Sequence, residues 1–168
     1  VATLVGRFDP VKGHFDLLAA APPQAAVLFV GGEDPSHPEH ARAVRATGRA
    51  VVVEGVADSI ELVAGSDVVV LPSRSEGFGL VAVEAMAVGT PIVAYAVDAL
   101  PEVIGDAGLL VPAGDVDALR RALETVLGDD VLRAQLVEAG RRRIADRYDA
   151  ERWAAAMVAR YHQASRSP

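Results

Sequence analysis

The sequence predicts an α/β fold, a doubly wound parallel sheet of about six strands with helices on both faces and extra helices at the C-terminal end. Three observations carry this expectation. Short, valine-rich apolar runs recur along the chain, as a sheet covered on both faces demands. Stretches of helical pattern separate them, and such alternation implies right-handed crossovers between parallel strands. A polar, glycine-containing turn follows the run at residues 67–71 and leads into a helix, where open α/β sheets place ligands.

The runs at residues 1–5, 26–30, 50–53, 68–71, 92–94 and 108–111 read as strands. Helical patterns lie between them at 13–21, 38–47, 59–64 and 80–88. Beyond Gly114, Asp115 and Asp117 stand where a first helical turn favours negative charge, and Leu119, Leu123 and Leu127 follow at helical spacing. Gly128 closes that helix, and 130–147 and 150–163 read as two more. In the last, Trp153, Met157 and Tyr161 form one apolar stripe, which either covers the domain's own sheet or is left for a partner. The tail 165–168 is expected to be disordered. No repeat, low-complexity block or linker divides the chain, so one domain is expected over 1–168.

Of the 168 residues, 51% are hydrophobic, enough for a full core. The absence of cysteine excludes disulfides and thiolate metal sites and fits a reducing, cytoplasmic compartment. No apolar run reaches the roughly 18 residues of a membrane span, and no signal-peptide pattern opens the sequence. A net charge of −7 argues against nucleic acid as a partner. Phosphate binding would therefore need a few placed cations and helix ends. Val1 stands inside a strand-like run without an initiator methionine, which fits a fragment of a longer protein, or else processing or a trimmed tag.

The turn Pro72-Ser-Arg-Ser-Glu-Gly-Phe-Gly-Leu80 is bracketed by two acids, Glu76 and Glu84. Gly77, Phe78, Gly79 and Leu80 offer backbone amides at a helix N-terminus, a site for anions and hydroxyls, with Phe78 expected to pack. Glu84 is expected on the first helical turn, either accepting from vicinal hydroxyls or stabilising the helix dipole. Arg7 and Lys12 flank the loop after the first strand, as phosphate-binding cations or as ordinary solvated ones. Gly32 ends the second strand, facing a ligand or making a tight turn. Two acids also invite a glycosidase reading, but hydrolysis needs neither a diphosphate grip nor this glycine turn. His37 and His40 lack a third metal ligand nearby and read as a solvated helix start, as does His14. Arg141, Arg142 and Arg143 read as a solvated surface, and Ser73 and Ser75 have no histidine to activate them.

Taken together, Glu76-x7-Glu84, Gly89-Thr-Pro91, Gly6-Arg7-x4-Lys12-Gly13, Leu100-Pro-Glu-Val-Ile104 and the stretch 108–115 resemble the donor-binding half of GT-B retaining glycosyltransferases, with glycosyltransferase family 4 the nearest likeness. The resemblance spans nearly the whole chain and implies a Rossmann-like fold. It makes Arg7, Lys12 and Glu76 the catalytic residues, the two cations meeting the diphosphate and Glu76 the donor-sugar hydroxyls. It adds Gly6, Gly32, Val56, Gly77, Phe78, Gly79, Leu80 and Glu84 as donor-binding positions, Glu84 holding ribose and the Gly55–Val56 segment reading the base. It further implies a nucleotide diphosphate sugar as donor, no cofactor and no bound metal. The N-terminal acceptor domain would be missing, so the isolated chain would bind without transferring. The apolar stripe would then meet that domain or a second copy, as a homodimer. The full-length protein would be cytoplasmic, free or at the inner membrane face. Rival readings are a non-catalytic sugar-nucleotide-binding module and an epimerase of similar architecture. A receiver-like domain would need clustered acids after the first strand, where only Asp9 stands. Two departures from the family pattern bear on donor choice: Asp98-Ala99 in place of Gly-Gly, and Tyr95 in place of a small or polar residue.

Overall fold

The computed structural model describes residues 1–148 and 157–158, and its strands form one sheet. They are β1 (Ala2–Val5), β2 (Val27–Val30), β3 (Val51–Val53), β4 (Val68–Leu71), β5 (Ile92–Tyr95) and β6 (Gly108–Val111). The helices are α1 (His14–Ala20), α2 (Pro38–Ala46), α3 (Ile60–Ala64), α4 (Leu80–Val88), α5 (Leu100–Ile104), α6 (Val116–Gly128) and α7 (Asp130–Arg147). Strand order is β3-β2-β1-β4-β5-β6 and every neighbouring pair is parallel. This is the doubly wound order anticipated from the alternating pattern, with its switch point between β1 and β4.

The valine runs explain the layers. Successive side chains on a strand point to opposite faces, so a strand covered on both sides must be apolar throughout. In β4, Val68 and Val70 enter a cluster with Leu17 and Leu18 of α1, Val44 of α2 and Leu119 and Leu123 of α6. Val69 and Leu71 enter the opposite cluster with Val63 of α3, Ala82, Ala85 and Met86 of α4, and Val103 and Ile104 of α5. Helix α7 serves both, through Leu136 in the first and Ala139 in the second. Full burial of one such leucine contributes about 1.5–3 kcal/mol.

Local chemistry sets the element ends. Asp115 and Asp129 cap α6 and α7, each carboxylate accepting from a backbone N–H three residues on. Asp9 accepts from the Val11 N–H and starts a 3-10 turn over Pro10–Lys12. Gly13, at φ 73°, breaks that turn from α1, so the helix expected from residue 13 begins at His14. Helix α5 was not expected as a helix; its proline, Pro101, sits in the first turn, where proline is tolerated. No helix among the described residues is long and apolar enough to cross a membrane. The expected last helix and tail, with Trp153 and Tyr161 of the stripe, lie outside the described residues; Met157 is described, in a helical pair with Val158.

Candidate functional site

The switch point makes a crevice. The chain leaves β1 for α1 on one face and β4 for α4 on the other, so the loops after these strands part above the sheet. The recorded β1–β4 register, Ala2 with Val68 and Thr3 with Val69, also stops two residues short of the strand ends. Lower down the loops are joined. The Arg74 N–H donates to the Val11 carbonyl at 2.8 Å. Gly13 lies so close that a Cβ there would stand 2.1 Å from the Pro72 carbonyl oxygen, which explains the glycine.

Across this seam, Lys12 Nζ donates to Glu76 Oε2 at 2.7 Å, with 23% and 17% of the two side chains exposed. The lysine stem runs over Gly6, where a Cβ would come within 3.5 Å of it. Gly79 takes φ 81° below Leu100, whose Cδ2 would lie 2.5 Å from a Cβ at that position. Of the residues expected in a site, Gly6, Lys12, Glu76 and Gly79 are thus brought together.

Asp98 joins them. It is the non-glycine residue with positive φ among those described, at 44°. Its Oδ2 accepts from the Glu76 N–H and from the Ser75 hydroxyl, both at 2.8 Å. These two bonds, the backbone one first, hold its carboxyl below the usual range.

Other expected residues stand apart from this group. Arg7 pairs with Asp34 at 2.8 Å, its own side chain 65% exposed and the acid buried. Asp34 also accepts from the Ser36 N–H at 2.9 Å, and this bond, then Arg7, lowers its pKa. The acid was not singled out, although Asp34-Pro-Ser36 is a turn signature that marks such a carboxylate. Phe78 turns edge-on to Tyr148, ring centres 6.0 Å apart, beside a cavity of about 430 Å³. Leu80 is 65% exposed, and Gly32, Val56 and Gly77 are exposed as well. Glu84 is the fifth residue of α4, which starts at Leu80 as expected, so it stands past the first turn where it was expected. It is half-buried and makes no ion pair or side-chain hydrogen bond among the described residues.

Four further expectations are corrected. His14 is fully buried, stacked on Phe8 with ring centres 4.8 Å apart, and its Nδ1 lies 3.3 Å from Nε2 of the buried His40. Burial, then the His40 charge, pushes its pKa down to about 4. Both helices carry these rings on their inward faces, which outweighs the polar prior for histidine. His37 does have acids nearby, its ligand atom and those of Asp9 and Asp34 all within 4.8 Å of one another. Each acid already has a protein partner, Asp9 in the Val11 N–H and Asp34 in Arg7 and Ser36. Tyr95, a departure expected to bear on donor choice, is fully buried, its hydroxyl donating to Asp16 of α1 at 2.9 Å. Arg143 is not simply solvated, since its Nε donates to the Val103 carbonyl at 2.7 Å and helps close α5.

Residues 1–143 match the family described as glycosyl transferases group 1. The chain belongs to this family, and its sheet is the Rossmann-like half of the GT-B fold. A phosphatidyl-myo-inositol mannosyltransferase of Mycolicibacterium smegmatis is 39% identical over 156 residues, 86% of this chain and 40% of that protein. Sucrose-phosphate synthase of Thermosynechococcus elongatus superposes with a TM-score of 0.84 at 36% identity, over 96% of this chain and 45% of the other. HepE of Anabaena, in complex with UDP and glucose, gives 0.84 at 25% identity, over 94% and 47%. The chain spans less than half the length of each of these three.

Proposed function

We propose that this chain is the donor-binding half of a retaining glycosyltransferase of family 4 type, taking a nucleotide diphosphate sugar and serving hexosyl transfer to an acceptor held by another domain. The observation that carries it is the Lys12–Glu76 pair across the switch-point crevice, with Gly6, Gly13 and Gly79 letting the Lys12 stem, the Pro72 carbonyl and Leu100 pack close around it. The UDP and glucose bound by HepE support a nucleotide-sugar donor for this chain.

In this reading the diphosphate draws Lys12 away from Glu76 and Arg7 away from Asp34, and a charge-assisted contact to each contributes about 1.5–3 kcal/mol. Glu76, released, accepts from donor-sugar hydroxyls. Glu84, which has no competing partner among the described residues, accepts from the ribose. The exposed Gly77 and Phe78 offer their amides to the donor sugar and the amides at the start of α4 meet the phosphates, while Gly32 and Val56 flank the nucleoside. Charge building on the leaving diphosphate strengthens the cation contacts in the transition state, so positioning and electrostatics supply the catalysis without a metal. The chain alone binds and does not transfer.

Isothermal titration with UDP, GDP and ADP tests this. Binding of one of them that Lys12→Met weakens roughly 10- to 100-fold is expected. No heat with any of the three overturns the reading.

A further inference from the structure

Glu76 lies on a loop, yet its carboxylate is aimed at one partner, and the turn that carries it is held at both ends from the segment after β5. Asp98 takes the Glu76 N–H and the Ser75 hydroxyl at the turn's start. Leu100, two residues on, fills the space over Gly79 at its end. A left-handed backbone at a non-glycine residue costs free energy and persists only where the surroundings over-determine it. Aspartate is among the residues that tolerate it best. Among the described residues, the same residue supplies the charged acceptor placed on the turn's backbone.

We propose that Asp98 is a positioning residue for the donor turn: its left-handed backbone and its carboxylate hold Ser75 and Glu76 so that the Glu76 carboxylate stands at the sugar end of the crevice, opposite Lys12. This rests on the donor-binding reading above. Among the described residues Asp98 makes no hydrogen bond or ion pair with Lys12 or Arg7, so its effect passes through Ser75 and Glu76. A donor's sugar feels that effect more than its diphosphate does.

Substitutions separate the two roles of the residue. Asp98→Gly keeps the backbone conformation and removes the acceptor; Asp98→Ala removes both; Asp98→Asn keeps both in neutral form. Titrations with UDP, UDP-glucose, GDP and GDP-mannose are expected to show about tenfold weaker binding of the sugar nucleotide in the glycine and alanine variants, with the bare diphosphate within about twofold of wild type. The asparagine variant is expected within about threefold of wild type for both. Amide hydrogen exchange at Glu76 reads the clamp without any ligand and should speed up about tenfold or more in Asp98→Gly but not in Asp98→Asn. Unchanged exchange and unchanged sugar-nucleotide affinity in Asp98→Gly overturn the inference. Loss of Glu76 protection in a chain that binds no nucleotide sinks the donor reading and leaves the clamp standing.

Discussion

Lys12 and Glu76 meet at 2.7 Å from loops that follow β1 and β4, strands the chain leaves towards opposite faces of the sheet. The pair is mostly shielded from water, so neither charge is fully solvated without the other. Bringing a dianionic ligand there exchanges one partner of the lysine for another. In the proposed function it also frees a carboxylate for the sugar hydroxyls.

The two members should therefore respond differently to substitution. Lys12→Met is expected to weaken UDP or GDP binding roughly 10- to 100-fold, one charge-assisted contact, and to lower stability by about 1–2 kcal/mol by stranding Glu76. Glu76→Gln removes the internal competitor for the lysine. It should leave the bare diphosphate bound as well or better, and bind the sugar nucleotide more weakly. Calorimetric titration of both variants with both ligand types checks the crossing pattern, and parallel losses for the two ligands in Glu76→Gln would refute it.

Gly13→Ala should be costly out of proportion to its one methyl group. The added carbon would stand 2.1 Å from the Pro72 carbonyl oxygen at a φ of 73°. A loss of about 2 kcal/mol or more is expected in urea unfolding. Gly32→Ala meets nothing within 4 Å and should stay within about 0.5 kcal/mol of wild type.

His14 predicts an acid-sensitive fold. Its pKa is about 4 in the folded chain against 6.5 when unfolded, so between these values the unfolded state binds more protons. The stability it contributes is fully present above pH 6.5 and is lost as pH falls towards 4. Each unit corresponds to about 1.4 kcal/mol, so roughly 3 kcal/mol is at stake. His40 shifts in the same direction, burial again the first cause. Urea midpoints from pH 7 to 4 should fall less steeply in His14→Phe than in wild type; equal slopes would remove His14 as the source.

The sheet was legible because both-face burial writes itself as unbroken valine runs, and β4 and β5, buried along their whole length, are the clearest of them. The crevice was legible for a related reason: a strand followed by a glycine-bearing turn and a helix marks the carboxyl edge of such a sheet. What could not be read was where side chains point across long sequence gaps. The pairings of Arg7 with Asp34 and of Tyr95 with Asp16 depend on the sheet order and leave no local spacing to recognise. His14 looked solvated because one residue at a helix start does not reveal its facing. Glu84 was misplaced although the helix bounds were read correctly, since the fifth residue of a helix starting at Leu80 already belongs to the second turn. Asp98 was noticed as a departure from pattern, but its hold on Glu76 spans 22 residues and needed coordinates.

The seam at Gly13 and Pro72 has a mechanical meaning. With main chain bearing directly on main chain and the Arg74 amide tied across, the base of the crevice has no slack with which to gape or pinch shut. It acts as an anvil. Under the proposed function, closure over a donor at this seam falls to the acceptor domain and not to these two loops.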